Sequence, residues 1–541
     1  MSTAFFFSFI GSLLICMALI PALTASAWRI QFVDVPRDRR IHAAPIAKVG
    51  GIAFAVGTIA AVLLWAPKDQ MILASLLGGA VILMFGIWDD CVELGPRMKF
   101  AGQILAAAIV IVFAGIRVKS IPFFDDQTFP VWAAGLITLI LIVGMTNAVN
   151  LADGLDGLAG GLSLLSFAGI AYLAYQASDQ MLVLLMVAVL GSLLGFLRFN
   201  TYPARVFMGD AGSQFLGHYL AVAALILVDP ARAPYSPLIV LFLWGIPLLD
   251  TVGVMGQRLL EGRSPFVGDR NHIHHKLLAM GLTHRQAVTG IYMTQGLSIG
   301  SAYLLRWQTD VVVLLAYLLF AGVVLSLFVF APHSKSMLIG ATTPPSTAIA
   351  GKSSLVSLHG WPLQALKWMV PLYLLVCVAI PREIPNEVGL IAAGLLAAVV
   401  GSLLIAKGAA LAIRIGLYIG STFIMYYSEL VPRILVHGLL TPLNAGFALL
   451  ALLVILTIRL TGDERFQTTP LDYLIVLLAL MLPFLPDLVV GEVYVSLLTA
   501  KLLVLFFAFE LLMQVSRAAV ARLGWLTAWM LAGLVVRAWW L

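Results

Sequence analysis

Long apolar runs alternate with short polar segments along the whole chain. A bilayer core asks for about 20 consecutive apolar residues per helix, and runs of that order occur near 4–27, 49–66, 71–88, 101–116, 130–147, 160–176, 181–197, 211–229, 236–255, 287–305 and 310–331. A polar, Pro- and Ser-containing stretch follows and includes Thr342-Thr343-Pro344-Pro345-Ser346-Thr347. Further apolar runs lie near 365–380, 387–406, 409–426, 443–460, 471–486, 491–513 and 522–540. The runs are continuous rather than alternating, so helices are expected and a membrane barrel is not. The expected fold is all-α, a polytopic transmembrane bundle of about eleven helices followed by about seven more. The expected organisation is a membrane domain over 1–331, a polar linker over 332–363 and an additional membrane region over 364–541.

Composition sharpens this picture. Of 541 residues, 61% are hydrophobic and 11% charged; soluble domains run near 45–50% and 25%. Lipid must therefore solvate much of the surface. The net charge of +6 is read as basic loops that orient the chain in a membrane, not as nucleic-acid binding. Cys16, Cys91 and Cys377 are far apart and suggest neither a disulfide framework nor a zinc site. Ala25-Ser26-Ala27 has the form of a cleavage site, but no basic segment precedes it, so a retained first helix is expected. Loops after odd-numbered runs hold Arg29, Arg37, Arg39, Arg40, Lys48, Arg97, Lys99, Arg198, Arg205, Arg258, Arg263, Arg270, Lys276 and Arg285. Loops after even-numbered runs hold only Lys68, Arg117, Lys119, Arg232 and Arg306. This bias places the odd loops in the cytoplasm and the N-terminus outside.

The same odd loops carry the acidic and histidine clusters. Asp89-Asp90 closes an apolar run and is followed by Glu93, Arg97 and Lys99. The pair is either a solvated helix end or a site for Mg²⁺ or phosphate, since hard cations take carboxylate oxygens and share them with substrate phosphates. Asn147 through Gly161 crowds two Asn, Asp153, Asp156 and four Gly into what reads as a short loop. Asp153 and Asp156 would share one face of a helical turn, and the glycines would let backbone approach a ligand. Asp210, in Met208-Gly209-Asp210-Ala211-Gly212-Ser213, opens the next run. It is either an N-cap or a residue beside an anion-binding helix terminus. Arg263, Asp269, Arg270, His272, His274 and His275 fall in one basic loop; without cysteines and with Arg and Lys neighbours, it suits phosphates better than zinc. The segment Asp34 to His42 is either an anionic-lipid contact or an orientation signal. Asp250, inside the ninth run, is a functional candidate or a local hydrogen-bonding group.

In order along the chain, DVPRDRRIHAAPIAKVGGIAF, GIWDD, LGPRMKFAGQ, NAVNLADGLDGLAGG, FNTYPARVFMGDAGS and GRSPFVGDRNHIHH resemble the polyprenyl-phosphate N-acetylhexosamine-1-phosphate transferases. The matched motifs cover roughly 34–276, and the resemblance is read as extending to about 331. Ile273 between His272 and His274 resembles the branch that starts O-antigen, enterobacterial common antigen or teichoic-acid linkers. The branch using UDP-MurNAc-pentapeptide has three consecutive histidines there. The resemblance implies transfer of a sugar-1-phosphate, GlcNAc-1-phosphate being the leading choice, from a UDP-N-acetylhexosamine to undecaprenyl phosphate, with release of UMP. It implies Mg²⁺, with Mn²⁺ as an alternative, and a multi-pass enzyme of the bacterial cytoplasmic membrane whose site faces the cytoplasm. Asp89, Asp90, Asp210 and Lys99 are expected to be catalytic. Asp210, Asp89, Asp90 and Asn150 would hold the metal. Asn150, Asp153, Asp156, Arg263, Asp269, Arg270, His272, His274, His275, His42 and Lys48 would contact substrates. Nothing in the resemblance accounts for 364–541, for which oligomerisation or binding of glycan-assembly partners is open. Two other classes compete: a multispan lipid or ion transporter, which should place charges at mid-bilayer and show inverted repeats, and a non-catalytic scaffold.

Overall fold

A computed structural model describes residues 2–34, 45–124, 128–264, 271–330, 361–381, 384–405, 409–429, 433–460, 489–490, 493–515 and 517–540. The chain divides into two compact units, with the main break between Thr343 and Pro344. Among the described residues, ten helices are long and apolar enough to cross a membrane.

The first unit contains α1 (Ser2–Arg29), α2 (Gly50–Trp65), α3 (Gln70–Val92), α4 (Pro96–Phe113), α5 (Val131–Ala152), α6 (Leu158–Gln176), α7 (Gln180–Asn200), α8 (Gly209–Leu227), α9 (Val240–Leu260), α10 (Ile273–Ala279), α11 (His284–Leu305) and α12 (Asp310–Phe330). All eleven long runs of this unit are therefore helical. The boundaries differ from the sequence reading where polar residues were taken to stop a helix. Helix α3 runs through Asp89 and Asp90 and ends at Glu93, which adopts φ +50°. Helix α4 starts at Pro96, a favoured first helical residue, so Lys99 is helical. Helix α5 continues to Ala152 and takes in Asn147 and Asn150, which the sequence placed in a loop. The histidine loop also contains a short helix, α10, that periodicity did not signal.

Helix α8 is the centre of this unit. Every residue from Ala211 to Leu227 is buried, and α2, α3, α5 and α6 pack around it. Small residues make that approach close. A Cβ on Gly86 would lie 2.4 Å from Ala211 Cα, and one on Gly51 would lie 2.4 Å from the Gly212 nitrogen. Such small-residue seams replace hydrophobic driving force where lipid is the solvent. Outward-facing Leu315, Leu318 and Leu319 on α12 stay exposed, as lipid-facing residues should.

Two further devices position polar groups. A two-residue antiparallel pair joins β1 (Val33–Asp34) to β2 (Ile46–Ala47). The following backbone is tied to the approach of α8: Phe207 N donates to Ala47 O at 2.9 Å and Gly50 N to Phe207 O at 2.9 Å. Lys48 is thereby fixed beside the start of α8. In α9, Gly245 (φ 48°, ψ −126°) and Pro247 break the helical ladder. Gln295 of α11 accepts from Ile246 N at 2.8 Å and donates to Ser166 at 2.9 Å, so the freed backbone group is satisfied inside the bundle.

The second unit contains α13 (Trp361–Ala379), α14 (Asn386–Ile405), α15 (Ala409–Glu429), α16 (Arg433–Leu460), a hairpin of β3 (Val489–Val490) and β4 (Val493–Tyr494), α17 (Val495–Val515) and α18 (Arg517–Trp540). Helix α16 begins about ten residues before the expected 443, and the run expected at 471–486 lies outside the described residues. Helix α14 packs on α18 and α13 on α16. Buried Lys501 on α17 pairs with Glu429 at the end of α15, which lowers the cost of keeping either charge inside an apolar bundle.

Candidate active site

The site is organised by the first turn of α8. Gly209 adopts φ +67°, and a Cβ there would fall 2.4 Å from Asp90 Oδ2, so both backbone sign and space call for glycine. The carboxylate of Asp90 accepts from Asp210 N at 3.2 Å and Ala211 N at 3.0 Å. Met208, the local N-cap position, supplies no side-chain cap. Asp90 thus caps α8 from another helix, satisfying two of the orphan N–H groups and the positive end of the helix dipole. Lys48 Nζ lies 3.4 Å from Asp90 Oδ1 and donates to the Asp90 carbonyl at 3.2 Å. Asp210, the sequence candidate for that cap, does not perform it.

Asp210 faces the neighbouring helices instead. Its Oδ1 accepts from Asn150 Nδ2 at 2.6 Å and its Oδ2 lies 3.3 Å from Lys99 Nζ. Asn150 also donates to Ser213 Oγ at 2.7 Å. Lys99 Nζ is 2.5 Å from Asp89 Oδ2, while Asp89 Oδ1 accepts from Leu94 N at 2.7 Å. One cation thus sits between Asp89 of α3 and Asp210 of α8. One helical turn further along the same three helices, Gln103 of α4 exchanges hydrogen bonds with Asn147 of α5 and donates to Gln214 of α8 at 3.2 Å.

The turn after α5 closes the recess. Asp153 is the C-cap of α5 and is exposed by surface area. Desolvation by the surrounding protein pushes its carboxyl up to about 7, and the Asp210, Asp156 and Asp90 carboxylates push the same way. Asp153 and Asp156 do not share a helical turn: Asp156 accepts from Ala204 N at 2.9 Å and ties the turn to the segment after α7. Tyr292 of α11 donates to Gly157 O at 2.6 Å.

The histidines lie at the start of α10 and are held from α9. Asp250 Oδ2 lies 2.9 Å from His272 Nδ1, and its Oδ1 accepts from Ile273 N at 2.9 Å. This hydrogen bonding is one of the two roles the sequence left open for Asp250. His274 is buried and touches the acidic turn: a Cβ on Gly154 would lie 2.2 Å from its Nε2. Burial, and then the adjacent His275, push the His274 imidazole down to about 4, so it is neutral at pH 7. His275 lies against it, ring centroids 4.2 Å apart.

The structure therefore gathers Lys48, Asp89, Asp90, Lys99, Asn150, Asp153 and Asp210, and brings His274 to Gly154. Arg263 pairs with Glu261 on the exposed turn after α9. His42, Asp269 and Arg270 lie outside the described residues. Sequence reasoning missed Gln103, Ser213 and Gln214. The available signal was their place one turn from Lys99 and Asp210 in otherwise apolar helices.

Whether a divalent cation suits this site can be judged from the donors. Among the described residues, no three His, Cys, Asp or Glu side chains are arranged to hold a metal unaided. Yet among the described residues the ion pairs of Asp89, Asp90 and Asp210 are with Lys48 and Lys99, three carboxylates to two ammonium groups, and two of these carboxylates already converge on one cation. Mg²⁺ is usually held by one or two carboxylates plus substrate phosphates and water, so the donor set fits.

A family model described as Glycosyl transferase family 4 matches residues 72–228, which include Asp89, Asp90, Lys99, Asn150 and Asp210. The chain is 35% identical over 305 residues to a probable undecaprenyl-phosphate N-acetylglucosaminyl 1-phosphate transferase of Bacillus subtilis (strain 168), covering 56% of this chain and 85% of the relative. It is 34% identical over 304 residues to a decaprenyl-phosphate N-acetylglucosaminephosphotransferase of Mycobacterium leprae (strain TN), covering 50% and 75%. It is 32% identical over 310 residues to an undecaprenyl-phosphate alpha-N-acetylglucosaminyl 1-phosphate transferase of Escherichia coli (strain K12), covering 54% and 84%.

Proposed function

The chain belongs to glycosyl transferase family 4, and from that footing we propose that it transfers N-acetylglucosamine-1-phosphate from UDP-GlcNAc to undecaprenyl phosphate, giving undecaprenyl-diphosphate-GlcNAc and UMP. The observation that carries the reading is the meeting of Asp89 and Asp210 on one cation at the ends of apolar helices. A soluble diphosphate and a lipid phosphate can both reach such a place. A transporter would instead carry its charges towards mid-bilayer. The site lies among Lys48, Lys99 and the basic loops that follow odd-numbered helices, which supports a cytoplasmic orientation in the inner membrane.

An oxygen of the lipid phosphate attacks the β-phosphorus of the donor. The bond from that phosphorus to the oxygen bridging to the α-phosphorus breaks, and UMP departs with the electron pair. Such transfers depend on in-line positioning and charge neutralisation. Asp89 orients the lipid phosphate and takes its proton where one is present. Lys99, held between Asp89 and Asp210, neutralises charge on the phosphates as the bond breaks. Asn150 fixes Asp210 by occupying its Oδ1. Asp90 and Lys48 hold the start of α8, and so the Asp210 backbone, in place. Asp210 and Asp89 would hold Mg²⁺ together with the donor diphosphate, and the ion would supply further charge neutralisation there. Neutral His274, together with His272 oriented by Asp250, lines the donor side as a hydrogen-bonding group.

The test is purified full-length protein with undecaprenyl phosphate, Mg²⁺ and a panel of UDP-sugars. UMP and lipid-linked diphosphate from UDP-GlcNAc are expected. No product from any UDP-N-acetylhexosamine overturns the reading.

A further inference from the structure

The residues that meet at the site come from three helices, and the same three helices meet again one turn away. Lys99, Asp210 and Asn150 form one rung across α4, α8 and α5, with Asp210 central. Gln103, Gln214 and Asn147 form a second, with Gln103 central. Gln103 follows Lys99 by four residues, Gln214 follows Asp210 by four, and Asn147 precedes Asn150 by three. These are the helical spacings that put side chains on one face, so the rungs stand about one 5.4 Å pitch apart. Gln103 and Gln214 are each only 2% exposed.

We propose that the Gln103–Asn147–Gln214 amide rung is a register lock whose function is to hold Lys99, Asn150 and Asp210 at reacting geometry, making Gln103 a positioning residue for the transfer. The proposal rests on the transferase reading of the site.

The physical argument is one of discreteness. Hydrophobic burial by itself separates neighbouring registers little, because lipid and neighbouring helices are alike in polarity, so register falls to close seams such as Gly217 against Thr146 and to polar contacts. Primary amides buried in the bundle are contacts of the second kind. A slide of one residue would move a helix about 1.5 Å, enough to break bonds of 2.7 to 3.3 Å and leave amides unsatisfied in an apolar medium. Buried polar groups are best attested as specifying register. Gln103 suits this role because it is the one amide bonded to both others. Asn147 is additionally anchored to its own helix, donating to Val143 O at 2.8 Å. Among the described residues, the rung's hydrogen bonds reach none of the groups expected to contact phosphate, so its effect on the reaction runs through the helices.

The test is the triple variant Gln103→Met, Asn147→Leu, Gln214→Met in full-length protein. It removes all three amides together, so no lone partner is left buried and stability should largely survive. Two readouts are taken: steady-state transfer with UDP-GlcNAc and undecaprenyl phosphate, and backbone hydrogen exchange. We expect kcat to fall at least about tenfold while KM for UDP-GlcNAc stays within roughly twofold, the signature of a lost transition-state interaction. We expect exchange to rise at 147–152 and 209–213 and not across α1 or α7. A purely structural rung predicts kcat recovering together with thermal stability, and wild-type kcat or wild-type exchange in those segments overturns the proposal. If the triple variant does not accumulate, Gln103→Asn, which shortens the central side chain, carries the same readouts. Wild-type protein that turns over no UDP-sugar, alongside raised exchange in the variant, would sink the transferase reading and with it the positioning role, leaving only a structural rung.

Discussion

Replacing Asp90 by Asn separates two roles that adjacent carboxylates can play. In the structure Asp90 uses its two oxygens to accept from Asp210 N and Ala211 N, and Lys48 pairs with it. Asn keeps one acceptor oxygen, turns the other into a donor facing an N–H, and removes the charge that complements the dipole of α8. Hydrogen bonds to charged groups contribute about 1.5–3 kcal/mol and a helix cap about 1 kcal/mol. A net loss of about 2–3 kcal/mol at the start of α8 is therefore reasonable, or roughly 30- to 150-fold in kcat/KM if it is transmitted through Asp210. The assay is UMP release titrated with Mg²⁺. Because Asp90 acts here through α8, the half-saturating Mg²⁺ concentration should stay within about twofold of wild type, whereas Asp210→Asn should raise it by roughly tenfold or more. Lys48→Met added to Asp90→Asn should cost little beyond the single change, since Lys48 works through the same carboxylate. An Asp90→Asn enzyme with wild-type kcat/KM refutes the capping argument, and one with a tenfold greater Mg²⁺ requirement refutes the division of labour.

Three further outcomes follow from the geometry. Gly154→Ala would put a methyl 2.2 Å from His274 Nε2, and the buried ring has little room to retreat; kcat/KM measured with UDP-GlcNAc should fall about 10- to 100-fold, on the order of 1.4–3 kcal/mol of displaced geometry. Asp250→Asn keeps one acceptor oxygen where two now meet His272 Nδ1 and Ile273 N, so kcat/KM should fall by about tenfold or more. Desolvation and the neighbouring carboxylates push the folded Asp153 carboxyl up to about 7 from its ordinary 3.8, so folding binds its proton more tightly and the penalty of ionisation builds as pH rises between those values. The melting temperature of Asp153→Asn relative to wild type should therefore climb from pH 4 to pH 7 and then level; a constant difference would contradict the assignment.

The helical bundle was legible because lipid leaves long continuous runs of Leu, Val, Ile and Ala that almost no other fold uses. Helix ends were less so. Asp89, Asp90, Asn147 and Asn150 are polar and poor helix formers, which argued for loops. They remain helical because the partners that satisfy them lie on other helices, such as Ala211 N for Asp90 and Asp210 for Asn150. The gathering of Asp89, Lys99 and Asp210 came from motif order rather than from local pattern, since no spacing within one helix reports a contact 111 residues away. The capping of α8 by Asp90 had no sequence signal: a local Asp210 at the same helix start was the natural reading. Gln103 and Gln214 were overlooked because single amides carry little weight in composition, although an amide inside an apolar span has few reasons to be there other than a partner.

The claim on which the account stands is that Asp89 and Asp210 share a divalent cation with the donor diphosphate. Electron paramagnetic resonance of Mn²⁺ added to the purified protein with UDP-GlcNAc tests it directly, through the coupling of the metal to donor phosphorus. The account predicts a phosphorus coupling that appears with UDP-GlcNAc and is lost in both Asp210→Ala and Asp89→Ala. An undiminished coupling in both variants, or Mn²⁺ bound without phosphorus nearby, would contradict it.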